Sequence, residues 1–316
     1  MSKSPVASPA SPLEEDDTSS TLTLPDGRKL GYAQFGSPTG RPVILLHGLA
    51  CSRFDAAYFH EVGQQLDARV IGVDRPGMGW SSAHPTRTLL DFVEDVEHLI
   101  EHLKLDDCSV IGVSGGGPSA LACAKVLPPT KLKAVAIIVG LGPPDIGMSG
   151  ARLVNRIGFP YGFRYCPPFL NRWFWQQDYI GRVDLSDEER LEMALRQFEK
   201  SKSKMPAKDL AVMSDHDFYR LPLRSTREGF AQGFDGVLLD GKLCCLDFGF
   251  KVEDIRPDLP VHLWYGKQDV FVPANHGVQL EKRLGSRAHL RLVDETHVSL
   301  LVNRKKEILE NLIKAM

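Results

Sequence analysis

The chain has 316 residues, of which 43% are hydrophobic and 25% are charged, a composition typical of a soluble globular protein. The formal net charge of −2 offers no basic stripe, so we expect no nucleic-acid partner. No apolar run approaches the roughly 18 residues that span a bilayer, and no basic amphipathic helix is evident, so the sequence predicts no membrane span.

The N-terminal residues are rich in Ser, Pro and acidic side chains. They lack the apolar core of a signal peptide, and we predict a disordered tail over residues 1–20. The six cysteines are scattered along the chain, and the one adjacent pair lacks metal-ligand spacing. We therefore expect reduced thiols in a cytoplasmic protein, whose oligomeric state the sequence leaves open.

From Thr21 the sequence alternates between strand and helix patterns. A hairpin pattern over residues 21–35 is followed by short apolar runs that suit strands buried on both faces. These runs cover residues 42–46, 69–73, 108–113, 132–139, 260–265 and 288–293. Helical patterns lie between or after them, at residues 89–103, 118–125, 275–284 and 298–314. The alternation predicts an α/β fold, with a mostly parallel, doubly wound sheet covered by helices on both faces.

One long segment interrupts this alternation. Residues 142–253 show helical and irregular patterns without clear strands, which predicts an inserted helical cap between two parts of an α/β core, residues 21–141 and 254–316. Residues 158–177 are dense in aromatic side chains. We expect most of these to pack the cap onto the core and some to face a substrate, because small-molecule pockets are mainly apolar. Arg152, Arg156, Arg164 and Arg172 could bind a carboxylate, but we expect them to form a solvated surface.

One strand-to-helix junction carries a serine among glycines. The sequence Gly112-Val-Ser114-Gly-Gly116 has the form G-x-S-x-G, in which a sharp turn lifts the serine hydroxyl above the edge of the sheet. Such a serine adopts a strained conformation with positive φ, and its flanking glycines let strand and helix approach closely. We predict that Ser114 is a nucleophile.

A nucleophilic serine needs a general base, and the base needs a carboxylate that orients it. In a parallel sheet these groups should follow the carboxyl ends of strands. Asp269 and His297 each follow a predicted strand, so we predict His297 as the base and Asp269 as the acid. Three rival acids remain open: Asp294, Glu295 and Asp145.

The loop after the first apolar run begins with His47-Gly-Leu. In a fold of this kind, this loop and the residue after the nucleophile supply backbone N–H groups that bind an oxyanion. We predict the amides of Leu49 and Gly115 as these donors. We expect His47 to fix the loop rather than to act as a second base, and Asp74 with Arg75 to pin the neighbouring loop.

Five motifs together resemble a known family: HGLACSR, DRPGMGWSS, GVSGGGPSALACA, GKQD and ETHVSLL. The chain is similar to the α/β-hydrolase superfamily, and more closely to its α/β-hydrolase-1 type serine hydrolases, from Thr21 to the C-terminus. The resemblance implies a mostly parallel eight-stranded sheet with a lid between the sixth and seventh strands. It also implies Ser114, Asp269 and His297 as catalytic residues, and catalysis without a metal ion or an organic cofactor.

These observations predict a serine hydrolase that acts on a small-molecule substrate. It would cleave a carboxylic ester, thioester or lactone of an apolar or aromatic compound through an acyl-enzyme. The same scaffold supports two alternatives, a non-hydrolytic enzyme (a lyase, cyclase or cofactor-free peroxidase) and a hydrolase-like ligand receptor. Epoxide hydrolases and haloalkane dehalogenases of similar fold use an aspartate nucleophile, and Ser114 argues against both.

Overall fold

One eight-stranded sheet forms the centre of the protein. The computed structural model describes residues 18–316. The predicted tail over residues 1–20 therefore lies almost wholly outside the described residues, and its last residue begins the first strand. The strands follow the order β1-β2-β4-β3-β5-β6-β7-β8. Their bounds are Ser20–Thr23 (β1), Lys29–Gly36 (β2), Arg41–Leu46 (β3), Ala68–Val73 (β4), Cys108–Val113 (β5), Leu132–Ile138 (β6), Val261–Gly266 (β7) and Ala288–Val293 (β8).

The sheet is mostly parallel. The strand β2 pairs antiparallel with both β1 and β4. All other neighbouring pairs are parallel, with Ile44 of β3 opposite Val110 of β5, and Ile138 of β6 opposite Trp264 of β7. The prediction of a mostly parallel, eight-stranded α/β sheet is confirmed. Because β3, β5, β7 and β8 are parallel, their carboxyl ends lie at one edge of the sheet, where ligands of such folds bind.

Twelve α-helices lie in the described part of the chain. Their bounds are His60–Gln65 (α1), Asp91–His102 (α2), Gly117–Val126 (α3), Leu153–Ile157 (α4), Phe163–Tyr165 (α5), Pro168–Trp175 (α6), Asp187–Ser201 (α7), Ala207–Met213 (α8), Arg220–Gly229 (α9), Asp235–Cys245 (α10), Asn275–Leu284 (α11) and His297–Lys314 (α12). A π-helix, Gly158–Gly162, joins α4 to α5. Within residues 18–316, none of these helices combines the length and the apolar character needed to cross a membrane.

The sheet buries apolar side chains on both faces. Alternate residues of β3 point to opposite sides, as the strand geometry requires. Ile44 and Leu46 belong to the cluster that α2 and α3 cover, and Val43 and Leu45 belong to the cluster that α12 covers. Because helices cover both faces of the sheet, its strands are continuous apolar runs, and the polar groups lie in the loops at the strand ends.

The segment between β6 and β7, residues 142–253, is called the insertion below, and it contains helices without a strand. Arg190 of α7 is buried, and its guanidinium donates to the carbonyl oxygen of Leu223 at 2.9 Å and to Oγ1 of Thr226 at 2.7 Å. Because an unpaired buried guanidinium is costly, these bonds fasten α7 to α9. That the insertion acts as a cap stays a prediction.

Most aromatic residues of 158–177 are exposed, although we expected most of them to pack onto the core. Five of the eight are more than half exposed: Tyr161 60%, Tyr165 72%, Phe169 69%, Trp173 60% and Phe174 54%. The remaining three are half-buried. The expectation was wrong because an aromatic composition does not specify which side of a short helix packs inward.

Candidate active site

Ser114 lies in the turn between β5 and α3. Its φ angle is +51°, in the region that residues other than glycine rarely adopt. The turn is tight because strand and helix touch. A Cβ atom at Gly112 would lie 2.6 Å from that of Ala120. A Cβ atom at Gly116 would lie 2.2 Å from the carbonyl oxygen of Leu46, so both glycines must lack side chains for the serine to reach this position.

A hydrogen-bonded relay joins Ser114 to residues that follow two other strands. The Ser114 hydroxyl donates to Nε2 of His297 at 3.1 Å, and Nδ1–H of His297 donates to Oδ2 of Asp269 at 2.7 Å. His297 is the first residue of α12, whose N-terminus Thr296 caps. The structure therefore brings the three predicted residues together, although Ser114 and His297 are 183 positions apart in the chain.

Asp269 is held so that one carboxylate oxygen remains for His297. Its Oδ1 accepts the backbone N–H groups of Phe271 at 2.7 Å and Val272 at 2.9 Å. The side chain of Asp269 is 0% exposed, whereas that of His297 is 19% exposed. The rings of Phe271 and His297 lie 5.4 Å apart. A buried carboxylate in this setting orients the imidazole and stabilises it when it gains a proton.

The three rival acids lie elsewhere. Asp294 is exposed, and Asp145 pairs with Arg283 while 64% exposed. Glu295 is buried, but its Oε2 accepts from the hydroxyl of Ser299 at 2.8 Å. None of the three has a hydrogen bond to the catalytic histidine candidate in the described chain, so the geometry favours Asp269.

The predicted oxyanion donors, the backbone amides of Leu49 and Gly115, lie side by side. A Cβ atom at Gly115 would lie 2.9 Å from the backbone nitrogen of Leu49. Within residues 18–316, neither N–H group donates to a carbonyl oxygen of a turn or loop. Backbone N–H groups placed beside a strained serine suit a negative charge that develops during a reaction.

Arg75 holds the loop that carries Leu49. Its Nη1 donates to the carbonyl oxygen of His47 at 2.5 Å, and its Nη2 to that of Gly48 at 3.1 Å. The backbone N–H of Arg75 donates to Nε2 of His47, so the ring proton lies on Nδ1 and is donated to the Gly48 oxygen at 2.8 Å. Burial, and then the charge of Arg75, lowers the pKa of His47 well below its ordinary value. His47 is thus a neutral group that fixes the loop.

A carboxylate of the insertion completes this arrangement. Asp240 of α10 accepts from Nε and Nη2 of Arg75 at 2.9 Å and 2.7 Å, and from Nη2 of Arg87 at 2.9 Å. Burial alone would raise the pKa of Asp240, but the two guanidinium charges outweigh it and lower that pKa. The sequence carried no signal for Asp240, because 165 positions separate it from Arg75 and no motif surrounds it.

A second polar contact from the insertion reaches the same loop. Asp55 accepts the N–H of Gly48 at 3.1 Å through Oδ2, and the hydroxyl of Ser225 in α9 at 2.7 Å through Oδ1. Burial raises the pKa of Asp55. Burial, and then the charge of Asp55, also raises the pKa of the Cys51 thiol well above its ordinary value. The thiol therefore stays protonated at neutral pH and is a filler rather than a nucleophile.

The described residues contain no cluster of three His, Cys, Asp or Glu that could hold a metal ion. All six cysteines are free thiols in the structure. Burial raises the pKa of Cys108 and of Cys245 to about 12. These two thiols are therefore protonated at neutral pH.

Comparison with known families places this geometry in context. The family model described as alpha/beta hydrolase fold matches residues 41–304. The matched range contains Ser114, Asp269 and His297, together with both predicted oxyanion donors. The match therefore covers most of the chain, including every strand of the sheet except β1 and β2.

Individual proteins either match a smaller part of this chain or share a lower sequence identity with it. A proline iminopeptidase from Arabidopsis thaliana is 34% identical over 125 residues, which are 36% of this chain and 30% of that protein. The chain matches between 30% and 35% of the length of such curated relatives. An esterase structure from Exiguobacterium antarcticum has 20% identity, a TM-score of 0.58 and coverage of 93% of this chain and 98% of its own. An alpha/beta hydrolase fold protein from Nakamurella multipartita has 18% identity, a TM-score of 0.64 and coverage of 94% and 99%. At these identities, the structural likeness shows the fold alone.

Proposed function

Because the chain belongs to the alpha/beta hydrolase fold family, we propose that it is a serine hydrolase that cleaves ester-like bonds through an acyl-enzyme. One observation carries the proposal, the relay from the Ser114 hydroxyl through His297 to Asp269, with distances of 3.1 Å and 2.7 Å. The substrate is a carboxylic ester, thioester or lactone of a small apolar or aromatic compound.

In the first half of the reaction, Ser114 attacks the carbonyl carbon of the substrate. Nε2 of His297 takes the hydroxyl proton as the bond from Oγ to carbon forms, and the Asp269 carboxylate stabilises the resulting imidazolium. The amides of Leu49 and Gly115 donate to the oxyanion, and loss of one such donor typically lowers the rate about a hundredfold to a thousandfold. His297 then protonates the leaving oxygen or sulfur as its bond to carbon breaks.

In the second half, water releases the acyl group. His297 takes a proton from the water molecule as its oxygen attacks the acyl carbon, and the same two amides bind the second oxyanion. When the intermediate collapses, His297 returns the proton to Oγ of Ser114 and the free acid leaves. The 19% exposed fraction of the His297 side chain leaves the base accessible to that water.

An apolar cluster beside the oxyanion loop supports an apolar substrate. Leu49 and Ala50 pack there with Met78 and with two aromatic residues near the end of α9, Phe230 and Phe234. Small-molecule pockets are usually lined by apolar and aromatic side chains with a few oriented polar groups. The guanidinium carbon of Arg172 lies 5.2 Å from the ring centroid of Phe234, so the cluster favours a neutral acyl chain over a cationic one.

A fluorophosphonate ester tests the nucleophile directly, because it forms a covalent adduct with an activated serine. The wild type should gain the mass of one adduct, and Ser114→Ala should gain none. Ser109→Ala is the matched control, since it removes a buried β5 hydroxyl without a hydrogen-bond partner in the described chain, and it should react as the wild type does. An unreactive but folded wild type, or an adduct on Ser114→Ala, would contradict the proposal.

A substrate panel tests the ester assignment separately. Aryl esters, a thioester and a lactone are compared with a prolyl anilide, because the curated relatives include proline iminopeptidases. We expect ester hydrolysis to dominate and to fall by at least about 10⁵-fold in Ser114→Ala. Faster cleavage of the prolyl anilide would replace the ester assignment by a peptidase one. An adduct with no turnover of any substrate would favour a receptor.

A further inference from the structure

Exposed apolar side chains are concentrated in one stretch of the insertion. Among the described residues, fourteen large apolar side chains are exposed, and nine of them lie between positions 153 and 174. These nine, called the aromatic face below, are Leu153, Val154, Ile157, Tyr161, Tyr165, Phe169, Leu170, Trp173 and Phe174. Single exposed apolar residues are ordinary, but a concentration of this kind marks a binding surface.

Positive charge accompanies the aromatic face. Between positions 146 and 177 the sequence contains four arginines and neither a lysine nor an acidic residue. All four are exposed, and within residues 18–316 none pairs with a carboxylate: Arg152, Arg156, Arg164 and Arg172. An apolar surface whose arginines have no carboxylate partner is complementary to a partner that has an apolar interior and an anionic surface.

Six of the nine residues of the aromatic face lie in short helices that share one support. The π-helix, α5 and α6 all pack on α10, and α4, which carries the other three residues, contacts the π-helix. The Cys245 thiol of α10 donates to the carbonyl oxygen of Phe159, and a Cβ atom at Gly241 would lie 2.3 Å from the ring of Phe163. The outer sides of these helices face solvent. No single basic amphipathic helix forms this surface, so the sequence periodicity did not predict it.

A cavity of about 340 Å³ opens within this region. Its lining includes two cations, Arg164 and Lys242, the amide of Asn171 and the residues Phe163 and Tyr165, and it includes no acidic residue. Lys242 is exposed and has no carboxylate partner in the described chain. A concave site with two cations beside aromatic rings suits the phosphate of a lipid headgroup.

The aromatic face lies next to the proposed reaction site. The guanidinium carbon of Arg152 lies 5.0 Å from the ring centroid of Phe271, and that ring is 5.4 Å from the ring of His297. On the other side of α10, the Cys244 thiol donates to the carbonyl oxygen of Gly115 at 3.6 Å. One side chain thus separates the charged edge of the face from the proposed base.

We propose that the aromatic face binds the surface of bilayers that contain anionic phospholipids. The apolar side chains enter the boundary between headgroups and acyl chains, and the arginines contact headgroup phosphates. A second copy of this chain fits less well, because a two-fold interface would set four arginines against four arginines with no acidic residue in the segment. Binding does not depend on hydrolysis, so the proposal stands apart from the proposed function.

Sedimentation of the full chain with vesicles tests the proposal. The vesicles contain phosphatidylcholine alone, or phosphatidylcholine with about a third phosphatidylserine, each at low and high salt. We expect binding to the anionic vesicles, weakened by salt because screening shortens the reach of the arginine charges. Tryptophan emission should shift to shorter wavelength as Trp173 leaves water.

Two groups of substitutions separate the charged and apolar contributions. Arg156→Gln with Arg164→Gln should weaken binding about thirtyfold, equivalent to about 2 kcal/mol. Tyr165→Ser, Phe169→Ser and Trp173→Ser together should weaken it on the order of a hundredfold. The matched controls are Arg196→Gln and Val278→Ser, exposed residues outside the face, and they should bind as the wild type does. Ser114→Ala should also bind normally, which keeps failure of binding distinct from failure of catalysis.

Three results of the vesicle experiments would overturn the proposal. The first is no binding, and the second is equal binding to neutral and anionic vesicles without a salt effect. The third is unchanged binding by both variants while circular dichroism shows that they are folded. Sedimentation velocity without vesicles supplies a further check: a wild-type dimer that the triple serine variant abolishes would assign the face to a second copy and would also overturn the lipid assignment.

Discussion

The carboxyl edge of the sheet and the π-helix of the insertion are packed in different ways. At the edge, backbone atoms of neighbouring elements touch, and a Cβ atom at Gly116 would lie 2.2 Å from the carbonyl oxygen of Leu46. The inner helices of the insertion are equally close to the core, since a Cβ atom at Gly229 would lie 2.3 Å from the carbonyl oxygen of Ala50, and Asp240 pairs with Arg75 at 2.7 Å. In the π-helix, a Cβ atom at Gly158 or Gly162 would meet nothing within 4 Å. The proposed reacting groups therefore depend on backbone packing that tolerates little change, whereas the π-helix does not.

A methyl group on glycine should have opposite effects in the two regions. Gly116→Ala places a Cβ atom against the Leu46 oxygen, and we expect a loss of at least about 4 kcal/mol in the free energy of unfolding. Gly162→Ala, in the π-helix of the insertion, meets nothing within 4 Å and should raise stability by up to about 1 kcal/mol, because alanine restricts the unfolded chain. Urea unfolding measures both, and similar losses would show that the backbone is packed equally tightly at the two positions.

Asp240→Asn should have the next largest effect. It leaves the buried guanidinium groups of Arg75 and Arg87 without their counter-charge, a change that typically costs about 3–5 kcal/mol. Asp184→Asn is the control, because it removes a half-exposed carboxylate paired with Arg182, and it should not change stability measurably. The urea midpoint of each variant measures the effect, and equal midpoints for both would show that the insertion does not depend on this contact.

The Asp240 contact also has a pH signature. The pKa of Asp240 lies below its ordinary value of 3.8 in the folded protein. A lowered carboxyl pKa contributes stability that is present above the ordinary pKa and is lost as pH falls through the folded pKa. The difference in unfolding free energy between wild type and Asp240→Asn should therefore be constant near neutral pH and shrink below pH 3.8. A difference that grows on acidification would contradict this assignment.

The smallest expected effect concerns the imidazole ring of His262, which is buried in the sheet without a hydrogen-bond partner among the described residues. His262 of β7 stacks on His289 at 5.2 Å, and neither ring nitrogen of His262 has a partner among the described residues. Burial, and then the charges of His289 and Arg291, lowers its pKa from 6.5 to about 4. On acidification, this histidine gains a proton near pH 6.5 in the unfolded chain but only near pH 4 in the folded chain. The free energy of unfolding therefore falls as the pH is lowered between these values.

His262→Phe should reduce this loss by about 1–2 kcal/mol between about pH 7 and pH 5, since each pKa unit is worth about 1.4 kcal/mol. Urea unfolding at the two pH values measures it. His98→Gln, at a 41% exposed position on α2, is the control and should keep the wild-type slope. If the free energy of unfolding changed equally with pH in the wild type and in His262→Phe, water would have access to this ring despite its burial.

Local signals were sufficient to predict the sheet and to single out Ser114 and His297 as candidate catalytic residues. The turn at Ser114 needs glycines within two positions on each side, and Asp269 and His297 each follow a short apolar strand. The choice of Asp269 over Asp294 and Glu295 depended on the geometry, because all three follow strands and only Asp269 has a hydrogen bond to His297. The local sequence shows which carboxylates follow a strand, but it does not show which of them contacts His297.

Asp240 and the aromatic face are two features that no local sequence pattern predicted. The order of strands and helices, the strained serine and the chain order of the proposed nucleophile, acid and base follow from residues a few positions apart, because hydrogen bonding and periodicity act over that range. The tertiary structure alone decided that Asp240 meets Arg75 and that five of eight aromatic residues in 158–177 face solvent. The physical reason is that burial and pairing depend on which distant surface packs against a side chain, and no local pattern encodes that surface.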